Sequence, residues 1–398
     1  MPRLFLGNFD FETRLAGHRG SLPAALAQIN DDLATVWLAI AEDGDFLWMP
    51  PCEPGFFETL SAAGLPRVTP LHNPADIPPG LELVPWGWTD EARDLARRWR
   101  CTNSAPDPSA VAAANSRRLS FRLESDWNVG LNGAAAIDSV ATLERRLPDI
   151  APDDRWVLKA NFSNSARERI LGRGPVLSEP QRRWIERRLS ADGLLVFEPW
   201  VDRIAAAGLQ FTISPPGNGP PVFEGAVPLL TDATGRYRGS RFSGTETANR
   251  EWSDALPIAT RAAGPLQQLG YFGPLGLDGM RYRDAGGTIR VRPLQDINAR
   301  WTMGRLSLGL RRFLHPGEHA SWLHFRWPTE SIPGNCARFE AIAGTLPAGT
   351  RLLGTSPFEV AGRATRLAHA LILAPSQDAL TAAEAHLASM ADTPHRPR

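Results

Sequence analysis

Apolar and polar positions over the first hundred residues alternate between the rhythms of strands and helices. Leu33–Ala41 (LATVWLAIA) is a short apolar run that reads as a strand, and Leu81–Trp88 (LELVPWGW) reads as another. Thr89–Arg100 (TDEARDLARRWR) has the signature of a capped helix: Thr89 at the start, acids in the first turn, arginines in the last. Cys101–Ala110 is rich in turn formers and reads as a link. Residues 111–150 are mostly helical in pattern, with Asp138 or Ser139 opening the clearest helix. Asp153–Phe162 (DDRWVLKANF) and Leu194–Val201 (LLVFEPWV) predict strands on either side of an amphipathic helix over Ser178–Ser190. Phe211–Ser214 and Pro221–Leu230 predict two more strands around the turn formers PPGNGPP, and Ala255–Gly273 a helix that ends in glycines. Gly276–Asp284 and Thr288–Arg300 predict a strand pair around the turn DAGG. Tyr237–Gly244 (YRGSRFSG), with Arg238 and Arg241, reads as a loop. The pattern gives an α/β and α+β chain in four parts: an α/β lobe over 1–110, subdomains over 111–192 and 193–315, and a small α+β extension over 316–398.

Composition narrows the function. The chain is 43% hydrophobic and 22% charged, as globular proteins are, and its 43 cationic and 43 acidic side chains cancel. No net field draws it to nucleic acid or to a membrane. No apolar stretch reaches membrane-spanning length, and the N-terminus lacks a signal-peptide core. Its 3 cysteines form no CxxC pair, so neither a disulfide framework nor a zinc knuckle is expected, and a reducing cytoplasm suits them. His315, His319 and His324 lack the spacing of a zinc helix. Of the 43 cationic side chains one alone is a lysine, Lys159. A lysine is a compact charge suited to a phosphate oxygen in a tight site.

The chemistry concentrates in the strand pair. Asp296 and Asn298 are two residues apart, so on a strand they share a face, and pairing through DAGG lets Asp278 meet them. Two carboxylates and an amide oxygen suit Mg²⁺ shared with phosphates.

Asp278 with Asp296-x-Asn298 resembles the metal-binding signature of the ATP-grasp superfamily, although most members carry Glu at the position of Asp296. Three further segments match in chain order. Lys159 resembles the family's strand lysine, which reaches the ATP phosphates. Asn161–Ile170 stands where a small-residue loop covers those phosphates; Ser163, Ser165 and Arg169 are its candidate contacts. Leu194–Val201 resembles the hinge that reads adenine through the backbone of Glu198, Pro199, Trp200 and Val201, with Glu198 also accepting from the adenine amino group. The usual ribose carboxylate is replaced by Ala205–Gly208, leaving Asp202 as the stand-in. Arg117 matches an earlier phosphate-binding cation, with Arg118 the neighbouring possibility, and Arg300 is placed for the γ-phosphate or the substrate carboxylate. The overall likeness is to bacterial carboxylate–amine ligases, peptide-ligase types included, with a pre-ATP-grasp lobe in front. It implies a two-lobed ATP-grasp fold, ATP and Mg²⁺ as cofactors, and small-molecule or peptide carboxylates and amines as substrates. The alternatives are a nucleotide-binding regulatory protein without turnover and an ATP-grasp kinase. Residues 316–398 are left with two roles, padding the ATP-binding lobe or contributing to a homodimer.

Overall fold

The computed structural model describes residues 1–162, 168–232, 235–244, 246–328 and 330–391. The first lobe is built on a four-stranded sheet in which β1 (Arg3–Leu6), β2 (Phe46–Trp48), β3 (Thr69–Leu71) and β4 (Glu82–Pro85) run in the order β3-β2-β1-β4, all parallel. A parallel sheet is covered on both faces, and β1 shows it. Leu4 and Leu6 pack with Ala92 and Ala96 of the helix Asp90–Arg98, while Phe5 stacks on Trp37 at 4.9 Å on the other side. Thr89 caps that helix by accepting from the Ala92 amide.

Trp37 lies in the segment Leu33–Ala41, whose pattern predicts a strand. It is instead a 3-10 helix over Ala34–Ala39, buried on every side. A run that is apolar throughout carries no period, so length and neighbours decide its form.

The second lobe holds β5 (Ala135–Ile137), β6 (Arg155–Ala160), β7 (Arg169–Arg173) and β8 (Leu195–Pro199) in an antiparallel sheet of order β5-β8-β6-β7. Trp156, Leu158 and Phe197 of this sheet pack on Ile185 of the helix Glu179–Asp192. A capping box of Ser178 and Gln181 starts that helix, and Gly193 at φ 68° ends it. Although β8 follows residue 192, its pairing with β6 places it in this sheet.

The third and largest sheet has eight strands. It comprises β9 (Asp202–Ile213), β10 (Val222–Thr231), β11 (Tyr237–Ser243), β12 (Gly273–Arg283), β13 (Ile289–Asn298), β14 (His319–Arg326), β15 (Arg351–Gly354) and, after the ribbon β16 (Glu359–Val360) and β17 (Arg363–Ala364), β18 (Leu367–Ala374). The order is β13-β12-β9-β10-β11-β14-β18-β15, antiparallel throughout. Tyr237–Ser243, expected as a loop, is the strand that joins the two halves; pairing on both edges overrides its turn-like composition. Through β14 and β18 the C-terminal segment continues the same sheet instead of standing apart from it.

Two sets of contacts tie the first lobe to this sheet. One core cluster runs from Phe5 and Trp37 to Leu209, Leu277 and Leu306. Asp32, fully buried, accepts from the amides of Arg366 and Leu367 and from the Arg363 guanidinium, each at 3.0 Å. No helix among the described residues is long and apolar enough to cross a membrane.

Candidate active site

The three sheets enclose an open cleft of about 1660 Å³. Arg117, Lys159, Arg169, Glu198, Trp200, Val201, Asp202, Asp278, Asp296, Asn298 and Arg300 all line it. These residues come from segments far apart in the sequence, and folding brings them to one surface. Ser163 and Ser165, the loop positions singled out from the sequence, lie outside the described residues.

The strand pair sets the centre. In the β12–β13 ladder Asp278 lies opposite Asp296 and Gly276 opposite Asn298. Asn298 donates from Nδ2 to Asp278 at 3.2 Å, and its Oδ1 accepts from Arg300 at 2.9 Å. Arg117 lies against Asp296 at 2.8 Å and donates to the Ala160 carbonyl at 2.5 Å. The site is kept open by missing side chains. A Cβ at Gly208, paired to Asp278 across the sheet, would meet Gln210 Nε2 at 2.4 Å, and one at Gly276 would meet Thr302 at 2.6 Å. Burial, followed by the like charge of Asp296, pushes the Asp278 carboxyl up to about 7. Two facing carboxylates of this kind fit a hard divalent cation.

A buried charge cluster joins β6, β8 and β13. Lys159 reaches Glu198 at 2.6 Å. Arg292, 2% exposed, holds both oxygens of Glu198 (2.9 and 3.0 Å) and both of Glu124 (2.5 and 2.6 Å). Burial resists ionisation of Glu198, yet Arg292 and then Lys159 hold it well below the carboxylate range. Burial depresses the ammonium of Lys159, partly offset by Glu198. The Glu198 carboxylate thus faces cations of the protein, and its backbone stands in the β6–β8 ladder opposite Val157. The guanidinium carbons of Arg155 and Arg169 lie 5.4 and 5.8 Å from the Trp200 ring centroid. Asp202, at the mouth, is exposed and 3.7 Å from Arg283. Arg300 pairs with Glu12 and lies 5.3 Å over the Trp86 ring.

Several residues in or beneath the site escape sequence reasoning. Arg292 and Glu124 are one arginine and one glutamate among many, and only their tertiary meeting marks them. Val157, opposite Glu198, and Met280 are apolar and line the cleft. The alternation of the β6 and β12 runs would have pointed them to the side that carries Lys159 and Asp278.

No protein-family model matches the sequence, and no curated protein does. Solved structures do. The N5-carboxyaminoimidazole ribonucleotide synthetase from Thermus thermophilus superposes with a TM-score of 0.53 at 17% identity, covering 100% of both chains. An ADP complex of such a synthetase gives 0.52 at 11% identity, covering 90% of this chain and 93% of the other. The synthetase from Staphylococcus aureus gives 0.53 at 8% identity, covering 92% and 95%. The chain has an ATP-grasp fold. In ATP-grasp terms the first lobe precedes the β5–β8 sheet and the eight-stranded sheet, and the cleft lies between them.

Proposed function

We propose that this chain is an ATP-dependent ligase that activates a substrate carboxylate as an acylphosphate and joins it to an amine. The observation that carries the reading is the β12–β13 register, which sets Asp278 against Asp296 in a cleft shared with Lys159, Arg300 and the hinge. The fold shared with ligases of known structure supports it. Backbone groups of Glu198 to Val201 take the adenine, with Val157 and Met280 packing on its faces. Lys159, Arg117 and Arg169 serve the phosphates. Asp278, Asp296 and Asn298 hold Mg²⁺, which when bound offsets phosphate charge. Arg300 turns its guanidinium toward the substrate carboxylate, and Glu12 and Asn298 fix its plane. The residues position and neutralise; none need act as a covalent nucleophile. Small-molecule or peptide substrates and the cytoplasm complete the proposal.

The test is a thermal melt with ATP, with and without Mg²⁺, followed by ADP release on a panel of carboxylates and amines. A ligand at about 100 times its Kd stabilises by roughly 2.7 kcal/mol. The Mg-dependent rise is expected in the native chain and lost in Lys159→Ala. Asp296→Ala keeps the fold and loses turnover. Unchanged ATP consumption in that variant would remove the metal assignment.

A further inference from the structure

The cleft is larger than its nucleotide needs. Pockets for drug-sized ligands occupy about 300–1,000 Å³, and this one measures about 1660 Å³. The remainder lies away from the hinge, between the first lobe and the C-terminal strands. Its walls are apolar: Ile29 and Leu33 on one side, Trp327 and Leu367 on the other. These walls are fixed against each other, because Asp32 binds the Leu367 amide and Thr35 lies 3.3 Å from His369. At the base, His324 is 5% exposed and pairs across β14–β18 with His369, the two rings 5.4 Å apart. Its Nε2 is buried and has no hydrogen-bond partner. Buried polar atoms are nearly always paired, so an unpaired one lining a cleft marks a group that a ligand satisfies. Burial, then the charge of Arg238, takes the imidazole down to about 3, so it is neutral at pH 7. Arg238, Arg326 and Arg300 line the same cleft, with Asp232 beside Arg238 and Glu12 paired with Arg300. Guanidinium groups present paired donors that match the two oxygens of a carboxylate.

We propose that this compartment binds the substrate that is to be activated, and that the substrate is an elongated carboxylic acid with an apolar body and a second hydrogen-bonding group that meets His324. The proposal rests on the ligase reading for the fate of the carboxylate, while the compartment itself binds without turnover. His324 acts as a specificity-determining residue, reading the distal group as a buried partner that a bare hydrocarbon leaves unpaired.

The experiment uses the full chain and carboxylic acids of graded length, each with and without a terminal hydroxyl. Binding is measured by calorimetry with and without ATP, and ADP release by a coupled assay. The hydroxylated acid of the best length is expected to bind roughly tenfold more tightly than its bare partner. His324→Phe should erase that preference while leaving the ATP-induced thermal shift intact, and His324→Gln, which keeps a nitrogen donor, should restore part of it. Acid binding that depends on His324 without any ATP response would uphold the compartment and overturn the ligase reading. An ATP response with no acid bound, or a preference that His324→Phe leaves unchanged, would overturn the compartment.

Discussion

One guanidinium at Arg292 compensates two carboxylates, and the residues it joins lie 168 and 94 positions away. Removing one partner of such a buried cluster leaves uncompensated charge, at a cost of about 3–5 kcal/mol. Arg292→Met is expected to lose stability of that order in chemical denaturation, and Glu124→Leu in the same background to recover part of it. A second prediction concerns acid. His324 and His369 are both held neutral by burial, with His324 down at about 3 and His369 well below its ordinary 6.5. The unfolded chain takes up these protons from about pH 6.5 downward while the folded chain refuses them. Stability is therefore full above about 6.5 and declines as pH falls toward 3; melts of His324→Phe should show a shallower decline. A matching slope in both proteins would exclude His324 as a cause. At this scale the sequence showed what was rare or regularly spaced. Lys159 stood out as the one lysine, and Asp296 and Asn298 by their strand spacing. Arg292 and His324 did not, because their meaning lies in who meets them, and the ring of Glu198 contacts likewise appears only once β6, β8 and β13 converge.

Elements with local signals were legible. The helices begun by Thr89, Ser139 and Ser178 start where their caps stand, and the β12–β13 pair turns at its Asp-Ala-Gly-Gly segment. Ser178→Ala removes one half of a capping box and should cost about 1 kcal/mol, read by thermal melt, with ADP release unchanged. A large loss of activity instead would tie that helix to the cleft. The two misread elements failed for opposite reasons. Ala34–Ala39 is so apolar that no period survives, while Tyr237–Ser243, polar and interrupted by Gly239, resembles a turn until neighbours pair both its edges.

Across the whole molecule the first lobe and the C-terminal strands act as one wall because Asp32 fastens them. Asp32→Ala strands two backbone amides and leaves the Arg363 guanidinium with Asp31 alone, and a loss of about 3 kcal/mol is expected. Amide exchange should rise in β18 and the helix Ala24–Asp32 while the β5–β8 sheet keeps its protection. Uniform loss of protection would mean that the lobes unfold as a single unit.

The continuous eight-stranded sheet also works as a ruler. From β12, which carries Asp278, to β14, which carries His324, the ladder crosses β9, β10 and β11. At about 4.8 Å per step that is ~19 Å along the sheet, shortened through space by its twist. The interval is fixed by backbone hydrogen bonds and not by side chains. A chain of this fold can therefore exchange every residue that lines the cleft and still measure the same length of molecule; to accept a longer or shorter one it would have to gain or lose a strand.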